Sequence, residues 1–186
     1  MKRIIRSALA LLLVSLALPS QAAIRVLATT ADWAALTQEL GGERVDVYTA
    51  TTAMQDVHRV GAKPSLVARA RTAELLVANG AELEIGWLPV LLQESGNPKI
   101  QRGAPGYFEA TSVVTLVEKP EKFDRAMGDI HPLGNPHIQL DPRRYGARVF
   151  GRLLERRRDH PRLELDRKVV GQAVAEEQQP LACPVR

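Results

Sequence analysis

Leu75-Leu76-Val77-Ala78-Asn79-Gly80 is the stretch on which the fold turns. Consecutive apolar residues closed by an Asn-Gly pair read as a short strand covered on both faces, because a half-solvated strand would alternate. Strands of that kind belong to parallel sheets with helices on either side. Working outward, Ile24-Arg25-Val26-Leu27-Ala28 is another apolar run, and Val45-Asp46-Val47-Tyr48-Thr49 alternates as a strand should. Between them Thr29, Thr30 or Asp32 can cap a helix that carries Trp33, Leu36 and Leu40 on one face and stops at Gly41-Gly42. Pro64 fits the first turn of a helix with Leu66, Val67 and Ala70 on its apolar side. Residues 83–92, around Trp87, predict a further helix ending at Gly96, with Pro89 kinking or breaking it. Residues 113–117, Val-Val-Thr-Leu-Val, predict a strong strand. The alternation predicts an α/β fold: a single lobe with a central, mostly parallel sheet flanked by helices, then a C-terminal helix and an irregular tail.

The two ends differ from this body. Met1-Lys2-Arg3-Ile4-Ile5-Arg6 is a positive start, residues 8–18 are an apolar run too short for a stable membrane anchor, and Pro19-Ser20-Gln21-Ala22 resembles a peptidase site. Residues 1–22 are therefore read as a secretory signal and the mature protein as periplasmic, with no membrane anchor once the signal is cleaved. Residues 23–141 form the predicted α/β lobe. They hold 11 basic and 15 acidic residues, a net of −4, which suits a cation better than a nucleic acid. Residues 142–186 hold 11 basic and 6 acidic residues, a net of +5. They begin with Asp141-Pro142 as a helix start, with Tyr145, Val149, Leu153 and Leu154 as its stripe, and lose all periodicity after Glu155. Arg156-Arg157-Arg158 there reads as a solvated face. The single cysteine, Cys183, rules out an internal disulfide.

Gly128-Asp129-Ile130-His131-Pro132-Leu133-Gly134-Asn135-Pro136-His137 puts two imidazoles in a proline-braced loop, and His58 sits in another loop far upstream. Imidazole is the commonest protein ligand for zinc and its neighbours. If the sheet is parallel, ligands bind beyond the carboxyl ends of its strands. His58 follows the 45–49 strand and His137 the expected 113–117 strand, so both can rise from that rim. His131 is either an auxiliary ligand that passes metal inward or a loop residue satisfied by a backbone carbonyl. Gln139, Asp129 and Asp56 are candidates for hydrogen bonds to the ligands. Asp141 reads as a helix cap, His160 with Cys183 as coincidence, and Trp33 and Trp87 as packing.

The chain resembles the periplasmic zinc/manganese solute-binding proteins of ABC importers, the ZnuA/TroA-like cluster. The likeness runs from about Ile24 to Tyr145 and rests on several pieces in order. These are Ala28-Thr29-Thr30-Ala31-Asp32-Trp33, Leu40-Gly41-Gly42-Glu43-Arg44-Val45, Asp56-Val57-His58 and Lys63-Pro64-Ser65. Leu76-Val77-Ala78-Asn79-Gly80-Ala81-Glu82-Leu83-Glu84 with Trp87-Leu88, and Asn135-Pro136-His137 with Leu140-Asp141-Pro142, complete the set. The resemblance implies two α/β lobes joined by a long helix, metal held between them, and an ABC permease as partner. It matches His58 and His137 to the first two histidine ligands. By the family's spacing a third histidine and an acidic ligand would fall beyond Arg186. The expectation is thus a first lobe plus the start of the connecting helix, with a slipped reading frame near Glu155 as the hypothesis for the early end, and impaired metal binding.

Catalytic signatures are missing from the sequence: it has no Gly-x-Gly-x-x-Gly, phosphate loop, Gly-x-Ser-x-Gly or His-Glu-x-x-His. The expected role is cation capture, zinc first and manganese as alternative, and not enzymatic. The competing expectation is a stand-alone single-lobe module that buffers metal or binds a partner, including a metal-bridged dimer.

Overall fold

The computed structural model describes residues 22–122 and 131–141. Four strands, β1 (Ile24–Ala28), β2 (Val45–Thr49), β3 (Leu75–Ala78) and β4 (Tyr107–Glu109), form one sheet in the order β2-β1-β3-β4. Every pairing is parallel, with Val26 opposite Val47 and Leu75, and Val77 opposite Phe108. Helix α1 (Ala31–Gly41) links β1 to β2, and α2 (Pro64–Thr72) precedes β3. Helix α3 (Leu88–Ser95) lies between β3 and β4.

The two-residue period of a strand sorts the core into two layers. Ile24, Val26, Ala28, Leu75, Val77 and Phe108 point to one face, where Trp33, Ala34 and Leu40 of α1 and Ile138 cover them. Leu27, Leu76, Ala78 and Tyr107 point to the other, against Leu66, Val67 and Ala70 of α2 and Leu88, Leu91 and Leu92 of α3. β3 is buried at every position, which is why its sequence shows no alternation. Both tryptophans are in the core, Trp33 in the first layer and Trp87 in the second.

Three expectations are corrected. Residues 83–92 are not one helix: 81–87 form successive turns, and α3 begins at Leu88. Ala81 and Glu82 have φ of 50° and 66°, values a right-handed helix cannot hold. Pro89 then falls in the first turn of α3, where its missing N–H costs nothing. The strong strand at 113–117 is not a strand. A 3₁₀ turn, Ala110–Val113, ends the ladder, and Val113, Val114 and Leu116 pack as irregular chain on the first core layer. The fourth strand is instead Tyr107–Glu109, three residues long. Finally, Thr30 holds the N-cap position of α1 with extended backbone, but no side chain caps the helix. The helix expected from Asp141-Pro142 onward and the signal segment to Gln21 lie outside the described residues.

Candidate metal centre

Parallel strands deliver all their carboxyl ends to one rim, and the strand order reverses direction between β1 and β3. That reversal is where a crevice opens in such sheets. Thr29 and Asn79, the residues that follow β1 and β3, meet there around a buried carboxylate. Glu84 accepts hydrogen bonds from Thr29 Oγ1 at 2.6 Å, the Asn79 amide N–H at 2.8 Å and the Gly80 N–H at 3.1 Å. Burial pushes the Glu84 carboxyl above its usual value, and these bonds oppose that rise.

The loop after β2 and the segment around residues 131–140 rise on this rim. They bring His58, His131 and His137 together, each half-buried, with one ring nitrogen apiece lying within 4.8 Å of the others. His58 stacks on His131 at 5.3 Å between ring centroids. His137 stands edge-on to both, at 6.2 Å from each. The Nε2 atoms of His58 and His131 are 3.3 Å apart. That separation is also the edge of a tetrahedron whose centre lies about 2.0–2.1 Å from nitrogen, the zinc–imidazole distance.

Asp56 fixes the state of the first ring. Its Oδ1 accepts from the His58 backbone N–H at 3.0 Å and lies 2.8 Å from His58 Nδ1. A carboxylate accepts only, so neutral His58 carries its proton on Nδ1 and turns a lone pair on Nε2 toward His131. The ring's hydrogen bond in turn holds the Asp56 carboxyl below its usual value. His137 is held below the ordinary imidazole value, first by burial and then by the neighbouring His58. Protons are thereby discouraged from a nitrogen that a cation would need.

The backbone beside two of the rings is pinned from the core. Trp87 Nε1 donates to the carbonyl of Val57 at 2.7 Å, one residue before His58. Asn79 Nδ2 donates to the carbonyl of Pro136 at 2.9 Å, one residue before His137. Asn79 Oδ1 accepts from Trp33 Nε1 at 3.1 Å, which sets which end of the amide faces Pro136. Asn135 Oδ1 accepts from the His137 N–H at 2.9 Å.

His58, His131 and His137 are thus brought together, and His131 takes its place beside His58. Asp56 joins them. Gln139 lies in the turn Ile138–Leu140, two residues past His137, and its buried Oε1 has no hydrogen-bond partner among the described residues. Asp141 closes that turn with its N–H on the Ile138 carbonyl at 3.1 Å. Asp129, His160 and Cys183 lie outside the described residues. Sequence reasoning passed over Asn79, Glu84 and Trp87, taking the first as punctuation and the last as packing. A polar residue beside a buried strand end, and an indole nitrogen needing an acceptor, were the available signals.

Residues 26–149 match the family described as zinc-uptake complex component A, periplasmic. The chain belongs to this family. Among solved structures it is similar to a ZnuA deletion mutant with zinc bound, at 20% identity and a TM-score of 0.60 over 84% of this chain. It is also similar to another ZnuA crystal structure, at 21% identity and 0.57 over 84% of this chain. A manganese-bound periplasmic metal-binding protein from Candidatus Liberibacter asiaticus follows at 18% and 0.53 over 82%. At these identities the structures establish the shared fold. They are covered to 55%, 56% and 50%, so the chain spans about half their length. None of the curated proteins matches the chain. Among the described residues no helix is long and apolar enough to cross a membrane.

Proposed function

We propose that this protein is the periplasmic substrate-binding component of a divalent-metal ABC import system, and that it captures the cation with His58, His131 and His137. The observation that carries the reading is the convergence of three ring nitrogens within 4.8 Å, in a chain whose family is defined by periplasmic zinc uptake. The chemistry is coordination. Three neutral imidazoles supply nitrogen donors, with remaining positions open to water or a further ligand. Nitrogen-only donation favours zinc over manganese, which prefers carboxylate oxygen. Asp56 holds the His58 ring in the tautomer that a cation requires. Delivery to an inner-membrane permease and residence in the periplasm are part of the same proposal.

Calorimetric titration of zinc into the purified chain tests it, alongside His58→Ala, His131→Ala and His137→Ala. Single-site binding weakened by about 10-fold or more in each variant supports the assignment. Tight binding untouched by all three variants ends it.

A second reading is favoured by one observation: all three rings come from the described lobe itself. The same residues would then serve a single-lobe module that buffers metal, its open coordination positions filled by a second copy. Sedimentation with and without zinc separates the two, since a zinc-dependent dimer belongs only to the module.

A further inference from the structure

Two of the three rings share a construction that neither the family match nor the metal cluster itself accounts for. In each case the carbonyl of the residue just before the histidine is held by a side-chain N–H from the sheet's carboxyl rim. Trp87 Nε1 holds Val57 at 2.7 Å, and Asn79 Nδ2 holds Pro136 at 2.9 Å. Both donors are themselves fixed. Trp87 is 2% exposed and Asn79 fully buried. The Asn79 amide is clamped by Trp33 through Oδ1, and its backbone N–H by Glu84. The Pro136 carbonyl also accepts the Ile138 N–H at 2.8 Å, which ties the residue after His137 to the same point.

We propose that Trp87 and Asn79 are a matched pair of positioning residues, setting His58 and His137 respectively at the separation a cation needs. The proposal rests on the metal reading given above. The Val57 carbonyl and the His58 N–H are opposite edges of one planar peptide unit, as are the Pro136 carbonyl and the His137 N–H. Holding both edges fixes the plane from which each histidine Cα departs. At His58 the amide side is Asp56 Oδ1, and at His137 it is Asn135 Oδ1. The peptide unit leading into each histidine is therefore held at both edges by side chains outside the cluster of three rings. Small displacements of such supports loosen metal binding by about 10- to 100-fold in comparable sites.

A pair of double-mutant cycles, read by zinc calorimetry on the full chain, tests this. Trp87→Phe keeps an aromatic ring in the core while removing the donor together with part of the indole's volume; Asn79→Ala removes the amide. Each is expected to weaken zinc by about 10-fold or more. The effect of Trp87→Phe should vanish in a His58→Ala background but persist with His137→Ala, and Asn79→Ala should behave the opposite way. Imidazole NMR of the metal-free chain supplies a second readout. Trp87→Phe is expected to shift the His58 signals and spare His137, and Asn79→Ala the reverse. Equal losses in both backgrounds, or no loss at all, overturn the proposal. If Asn79→Ala does not fold, Asn79→Asp keeps the size and the acceptor for Trp33 while removing the donor, and the Trp87 cycle stands independently. If His58→Ala and His137→Ala leave zinc binding intact, it is the metal reading that has failed, while the imidazole spectra still decide whether the two braces set the rings.

Discussion

Asp56 Oδ1 sits 2.8 Å from His58 Nδ1, and the same oxygen accepts the His58 backbone N–H. One carboxylate therefore fixes both the tautomer and the backbone of the ring that stacks on His131. Asp56 is solvent-exposed, so its removal leaves no buried group unpaired. Asp56→Ala is expected to weaken zinc by about 10-fold or more while thermal unfolding of the metal-free chain stays nearly unchanged. Asp56→Asn, which retains an acceptor, should fall between. A loss of stability matching the loss of affinity would contradict this account.

Acid should release the cation. His137 is held below the ordinary imidazole value by burial and by His58, so folding favours its neutral form. The stability this lends is fully present above about pH 6.5 and is lost as pH falls through the lowered native value. Zinc and protons compete for the same nitrogens, so affinity declines over the same acid window. With three imidazoles in the cluster, binding at low pH should release up to about three protons per ion. Calorimetry in buffers of different ionisation enthalpy counts them; release near zero at pH 5 would exclude histidine ligation.

Glu84 is the keystone of the rim. Glu84→Ala leaves the Thr29 hydroxyl and the Gly80 N–H buried without their acceptor, and the Asn79 N–H with only its longer 3.3 Å bond to Thr29 Oγ1. A cost of about 3 kcal/mol or more follows from stranded donors of this kind. Urea unfolding should show a markedly lower midpoint, and an unchanged midpoint would refute the role.

Gly80 has φ of +89°, and a Cβ there would run into the side chains of Glu109 and Thr111. Gly80→Ala combines a left-handed backbone with a collision at the end of β3. A destabilisation of about 2–4 kcal/mol is expected, measurable by the same urea titration.

Gly86 makes a more local test. A Cβ on it would lie 3.1 Å from the His58 carbonyl oxygen, so Gly86→Ala should push the 56–59 loop while the core remains. Zinc affinity is expected to fall several-fold with little change in thermal midpoint; an unaltered affinity would show that the loop absorbs the methyl group freely.

Much of this architecture was legible before any coordinates. Ile24–Ala28, Val45–Thr49 and Leu75–Ala78 occur with the expected bounds, and the helix expected to open at Pro64 does so and runs to Thr72, because each is long enough for burial and punctuation to agree. Residues 113–117 misled because apolar composition records burial, and Val113, Val114 and Leu116 are partly buried without joining the ladder. Tyr107–Glu109 was invisible: three residues are too few to display a period, and its place is set by pairing with β3. The convergence of His58 and His137 on one rim was expected from the parallel sheet, although the strand invoked for His137 was the wrong one. His131 was left undecided because its place beside His58 is fixed by contacts 73 positions away in the chain. The braces from Trp87 and Asn79 span 30 and 57 residues, and no local pattern encodes such a bond.

The order β2-β1-β3-β4 puts the strand leading to His58 at one border of the sheet and the strand preceding His131 and His137 at the other. An ion can be gripped only after both central strands have zipped those borders into register. On the proposed metal reading, cation occupancy would be a signature of completed folding, and the bound ion a lock, drawing down the population of opened chains that proteases attack.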